Sequence, residues 1–327
     1  MHVLVTGAAG KVGRSLVASL VVKGHHVRAA DMVVGPDSAG IKWVTCDVTN
    51  IVSLRAAMVD CEAVIHLAAM GLPWLASEEE IFRINDYGSF CVFRAAAEAG
   101  IRRVISASSI NALGMYFGKR RVDATRIPVT EEHQRVTSDI YSFSKQIQED
   151  VAQYFYRREG IVSVSLRMGN NMVIDPKPAA APVREAMAQL LDLPREEGRR
   201  RVREIVDRFF ARSEDLRGRY NGEYVANSIA TGVTHFWTAL DCRDRDEAFT
   251  LALEPNLDGA SVVNIADFYN TLEMDARSIA SLCYPEATLD AELRGTQSLW
   301  SVERAKTLLG FVPQYSVARF FSNQTQI

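Results

Sequence analysis

Short apolar runs rich in β-branched residues alternate, over the first half of the chain, with longer stretches whose apolar positions recur every three to four residues. The runs at 2–6 (HVLVT), 26–31 (HVRAAD), 41–46 (IKWVTC), 62–67 (EAVIHL), 102–107 (RRVISA) and 161–167 (IVSVSLR) each predict a strand. Helices are predicted over 11–23, 50–59, 78–99 and 139–158. Such alternation is the signature of βαβ units, so the expected fold class is α/β, a doubly wound parallel sheet. After about residue 170 the alternation stops. Pro176, Pro178 and Pro182 punctuate a loop before helical stretches near 183–191 and 195–215. We therefore expect one parallel-sheet unit over 1–170. Residues 171–327 are expected to form mainly a smaller C-terminal substrate-binding cap, with some segments returning to the sheet.

Composition narrows the function classes. The 327 residues are 48% hydrophobic and 24% charged, with a formal net charge of −3, which is the make-up of an ordinary globular chain. No global basic footprint exists for nucleic acid or an anionic membrane, so neither is expected as a partner. Five widely spaced cysteines, with no CxxC pair or Cys/His cluster, speak against a disulfide framework and against a metal site. No run approaches eighteen apolar residues and the N-terminus lacks a signal-peptide pattern, so the chain is expected to be cytoplasmic. Segment 195–212 holds seven arginines, but glutamates and a helical apolar stripe intervene, which reads as a solvated face of an amphipathic helix.

The first chemical signal is at the start. Strand Val3-Leu4-Val5 runs into Thr6-Gly7-Ala8-Ala9-Gly10-Lys11-Val12-Gly13 and then a helical pattern. Glycines permit a tight turn and let backbone approach a pyrophosphate, while the helix N-terminus offers free N–H groups. Asp31 ends the next strand, placed to accept from both ribose hydroxyls and to repel a 2′-phosphate, which favours NAD over NADP. Arg28, three residues back, should leave on the other face. Asp47, before Val48, either accepts from the adenine amino group or caps a helix. Beyond strand four, Leu67, Ala68 and Ala69 would let a cofactor lie close to the backbone, and His66 reads as a hydrogen-bonded structural residue. Together these features make the sheet Rossmann-type, with NAD as the expected cofactor.

The second signal is Tyr141-Ser142-Phe143-Ser144-Lys145, with Ser108-Ser109 at the end of the fifth strand. Tyrosine and lysine four apart share a helix face, with Ser138 or Asp139 as N-cap. An ammonium near the phenol is expected to lower its pKa and make it a base for a hydroxyl proton, while Ser109 holds the substrate oxygen. Alone, such a Tyr/Lys pair is common by chance.

In combination the motifs resemble the extended short-chain dehydrogenase/reductases, the NAD-dependent epimerase/dehydratase family. They are TGAAGKVG at 6–13, Asp31, DV at 47–48, HLAA at 66–69, Asn85 before Gly88, SASS at 106–109, YSFSK at 141–145, LR at 166–167 and WSVERAKTLLGFVP at 300–313. The resemblance implies Tyr141 as proton-transfer base, Lys145 as the residue that binds the nicotinamide ribose and tunes Tyr141, and Ser109 as binder of the reacting oxygen. It implies Asn85 near the cofactor and Asn111 against the substrate, and a homodimer is expected. Arg167 either pairs with a substrate carboxylate or serves the strand end structurally, and Asn170, in the departure MGNN at 168–171, is expected at the substrate. Segment 220–230 (YNGEYVANSIA) lacks the family's diphosphate clamp, so a small sugar-like substrate without a nucleotide is expected, unless Arg217 or Arg219 supplies the charge. The ASSIN and LRMGN stretches resemble uronate dehydrogenases. Epimerase or dehydratase activity with a closed NAD cycle remains the alternative, and a non-catalytic dinucleotide-binding regulator a third.

Overall fold

Val3, Leu4 and Val5 of strand β1 (His2–Thr6) are all fully buried, as a parallel strand must be when helices cover both faces of its sheet. In the computed structural model, which describes residues 1–169, 172–173, 178–211, 223–254 and 256–319, all six expected strands form. They are β1, β2 (His26–Asp31), β3 (Ile41–Thr45), β4 (Ala63–His66), β5 (Arg103–Ser109) and, after the short β6 (Arg126–Ile127), β7 (Val162–Met168). A seventh comes from the C-terminal half: after the two-residue β8 (Met172–Val173) and β9 (Leu240–Asp241), strand β10 (Ala260–Ile265) pairs with β7. The order is β10-β7-β5-β4-β1-β2-β3, every pair parallel. The chain starts in the middle, winds out to β3, then returns past β1 to build the other half. Its direction switches between β1 and β4, which opens a crevice at the strand C-termini.

Alternation along each strand splits the core in two. Val3 and Val5 face a layer with α1 (Lys11–Val22) and the helices Cys242–Leu251 and Glu303–Leu309. Leu4 faces the other, with α2 (Ile51–Met58), α4 (Gly88–Glu98) and α5 (Ile140–Glu159). Asn50 caps α2 and Asp139 caps α5, its Oδ1 accepting from Ser142 N at 2.8 Å. The expected helix 78–99 is not one regular rod. It runs as α3 (Glu78–Phe82), a π turn over Arg83–Tyr87 and then α4, and such a turn inserts an extra residue into the helical register.

A third core joins Ile110 and Leu113 to α6 (Ala181–Asp192), α7 (Arg195–Phe210), helix Tyr224–Thr234 and Trp300. Helix α7 buries Val202, Val206 and Phe209, while Arg199, Arg200 and Arg201 pair with Glu196, Glu197 and Glu204 on its own exposed face. The arginine-rich stretch is thus a solvated helix face.

Candidate active site

The crevice at the switch point is a groove of about 310 Å³, lined among others by Gly7, Gly10, Asp31, Asp47, Val48, Leu67, Ala68 and Ala69. These eight were all expected at a cofactor. Gly7 has φ of +70°, and a Cβ there would stand 2.6 Å from Ala68 N, so this turn packs backbone against backbone. At Gly13 a Cβ would stand 2.3 Å from Gly7 O, which is why α1 can start so close beneath the turn. The N-cap of α1 is Gly10, with no side chain bonded across its first N–H groups. Open amides at the N-terminus of a twelve-residue helix suit a phosphate. Lys11 and Val12 open that helix, Lys11 exposed and Val12 half-buried.

Asp31 accepts from Ala9 N at 3.0 Å and from Met32 N at 2.7 Å, which aims its carboxylate along the groove wall. Arg28 does leave on the other face, donating to Ala57 O and Val59 O on the α2 side. The two readings of Asp47 separate. Asn50 is the cap of α2, whereas Asp47 accepts from Thr49 N and Oγ1, both at 2.8 Å, and lines the groove. His66 is bound by Thr6 Oγ1 at 2.8 Å and Ser89 Oγ at 3.0 Å, and burial first, then Lys145, lowers its pKa to about 3. It is a neutral structural residue.

Beyond the groove lie Ser109, Tyr141 and Lys145, all buried. Ser109 Oγ accepts from Asn111 N at 3.1 Å, which caps a 3₁₀ turn over Ile110–Leu113 and seats Asn111, 8% exposed, beside it. Burial pushes the Tyr141 phenol up, and a hydrogen bond with Ser109 pulls it back. The expected lowering by Lys145 is not found. Its Nζ donates to Ala107 O at 2.7 Å and Gln148 Oε1 at 3.2 Å, and it stands over the Tyr141 ring face, 5.8 Å from the centroid, rather than at the phenol oxygen. Burial lowers the Lys145 pKa to about 8, against the pull of Asp86 and Glu149.

Asn85 is buried in the π turn. Its Oδ1 accepts from Met70 N at 2.7 Å and its Nδ2 donates to Met70 O at 3.0 Å and Ser144 Oγ at 2.9 Å, so it ties the loop after β4 to α5. Arg167 has another occupation than a substrate carboxylate. Its Nε and Nη2 hold Glu149 at 2.7 Å each and its Nη1 reaches Glu131 O at 3.2 Å, with the side chain 2% exposed. The structural alternative for Arg167 is the one this geometry matches. Asn170, Arg217 and Arg219 lie outside the described residues.

Sequence reasoning missed an aromatic wall. Phe117 meets the Tyr141 ring edge-on at 5.7 Å, Trp74 meets Phe117 at 5.5 Å, and Tyr116 sits between Phe117 and His235 at 4.7 and 4.3 Å. These residues come from separate loops, and no local spacing announces them. Among the described residues no cluster could hold a metal ion, and no helix is long and apolar enough to cross a membrane.

A parallel sheet with a glycine turn and an acidic second strand at its switch point has the doubly wound arrangement that takes a dinucleotide, and serine, tyrosine and lysine stand near it. The chain belongs to the NAD dependent epimerase/dehydratase family, whose profile matches residues 3–187. It is 32% identical over 172 residues to a uronate dehydrogenase of Pseudomonas putida, a match covering 52% of this chain and 61% of that one. It is 31% identical over 176 residues to an L-arabinose 1-dehydrogenase (NAD(P)+) of Haloferax volcanii, covering 51% and 66%. The chain thus spans about three-fifths of the length of the uronate dehydrogenases it matches. Among solved structures, a glucuronic acid dehydrogenase from Chromohalobacter salexigens shares the fold with TM-score 0.62 at 22% identity, covering 100% of this chain and 89% of that one. A UDP-galactose 4-epimerase does so at 0.61 and 20%, covering 97% and 95%.

Gly7→Ala combines a left-handed φ with a backbone clash, so it should lower stability by roughly 1–3 kcal/mol and weaken NAD binding. Thermal melting and NAD titration check this, and an unperturbed variant would show that the turn relaxes freely. Arg167→Met leaves the Glu149 carboxylate buried without its bidentate partner and should cost about 3–5 kcal/mol, with any loss of activity following the loss of fold. A fully stable variant whose KM alone rises would return Arg167 to the substrate.

Proposed function

We propose that this chain is an NAD-dependent dehydrogenase that oxidises a hydroxyl of a small, sugar-like polyhydroxy substrate without a nucleotide. The observation that carries the reading is the burial of Ser109, Tyr141 and Lys145 together, with the Lys145 ammonium over the Tyr141 ring, beyond a groove fit for a dinucleotide. NAD, when bound, would supply the hydride acceptor. Tyr141 takes the hydroxyl proton. Ser109 holds the same oxygen and, by donating, favours the phenolate. Lys145 holds the nicotinamide ribose, with its place fixed by Ala107 O and Gln148. Asp31 supports NAD over NADP, since its carboxylate is fixed in the groove and would repel a 2′-phosphate. Phe117 and Trp74 offer an apolar wall of edge-to-face rings beside Tyr141, suited to the C–H groups of a sugar-like ring. The matched uronate and arabinose dehydrogenases support a sugar or sugar acid.

Sugars, sugar acids and nucleotide sugars incubated with NAD should give net NADH absorbance with a sugar or sugar acid. Turnover of a nucleotide sugar without NADH accumulation would establish the epimerase or dehydratase reading instead. Tyr141→Phe should lower the rate by roughly 10²–10⁴-fold while NAD binding stays nearly intact, because only the phenolic oxygen is removed. Wild-type turnover by that variant would take Tyr141 out of the mechanism.

A further inference from the structure

Asp86 lies in the π turn, 3% exposed, and both its carboxylate oxygens are buried with no hydrogen-bond partner. Buried carboxylates are ordinarily met by donors, so this one calls for an account. The turn packs against α5, and among the described residues the charge that acts on Asp86 is Lys145. The relation is mutual, because Asp86 and Glu149 are the two carboxylates that favour the charged form of Lys145 against its burial. They are not equivalent. Glu149 is engaged by Arg167 on both oxygens, by Ser108 on one and by Arg135 on the other, so its charge is already answered. Asp86 has no such cation of its own. His66 faces the same ammonium from β4, but it is neutral and adds no charge.

We propose that Asp86 is a positioning residue for Lys145, the counter-charge that keeps this ammonium protonated while its N–H groups donate elsewhere. The inference rests on the reading of Lys145 as the ammonium that holds the nicotinamide ribose beside Tyr141. Burial pushes Asp86 up to about 7, and Lys145 is down at about 8. Between about pH 7 and pH 8 the two carry opposite charges inside the fold. Removing the Asp86 charge removes a cause that raises the Lys145 pKa, so the ammonium is then lost at a lower pH. Below pH 7 Asp86 is itself protonated, and its removal should change little.

The test compares wild type with Asp86→Asn in NAD affinity by calorimetry from pH 6 to 10, which needs no substrate. Wild-type affinity should fall as Lys145 deprotonates near pH 8. In the variant the fall should move about one unit to lower pH, with equal affinity at pH 6. A midpoint that does not move overturns the proposal. A melting-based double-mutant cycle of Asp86→Asn with Lys145→Met is independent of NAD, and should show coupling at pH 7.5 that vanishes at pH 5, where Asp86 is protonated. Equal coupling at both pH values, or none, overturns it. If wild type fails to bind NAD, the reading of the site fails while the cycle still decides Asp86. Asp86→Leu replaces Asn in the cycle if Asn does not fold. Failure of both to fold also overturns the proposal, since an unpartnered carboxylate should not be needed for folding.

Discussion

One buried ammonium sets the terms for the centre of this molecule. Lys145 is 5% exposed, and a charge taken that far from water survives only if it is hydrogen-bonded and answered by opposite charge. The demand propagates. Glu149, one helical turn along α5, is itself buried and is held by Arg167 on β7 and Ser108 on β5. Arg167 reaches Glu131 O, and Glu131 Oε1 accepts from Asn264 N on β10 at 2.9 Å. A chain of polar contacts thus runs from the tyrosine helix across three strands to the sheet edge. The strand contributed by the C-terminal half is locked to the chemistry by hydrogen bonds as well as by apolar packing.

This explains what the sequence could and could not disclose. The β1 turn, Asp31 and the Tyr141/Lys145 spacing are local features, each complete within a few residues, and the strands were legible as short runs rich in β-branched residues between helical stretches. Strand β10 was not expected, because it lies beyond residue 170, where the regular alternation of strand and helix patterns stops. The π turn was invisible for another reason. Its sequence, RINDY, has ordinary helical periodicity, and the extra residue is imposed by packing against α5 and by the Asn85 link to Met70.

Arg167 shows where motif logic misleads. An arginine at the C-terminal end of a strand lies on the ligand rim of an open sheet, so a substrate role was a reasonable alternative. What decides its occupation is a glutamate eighteen residues earlier on a different element, and no spacing rule connects the two. The aromatic wall beside Tyr141 is of the same kind, assembled from positions 74, 116, 117 and 235 by the fold alone.

The bond from Ala9 N to Asp31 has a bearing on redesign. The carboxylate that should exclude a phosphorylated ribose is also the latch between the end of β2 and the glycine turn of β1. Engineering such a site to accept the phosphorylated cofactor usually begins by erasing the acidic residue. Here that exchange would also unfasten the glycine turn proposed to cradle the pyrophosphate, so a successful swap has to bring a substitute acceptor for the Ala9 amide along with the new cation.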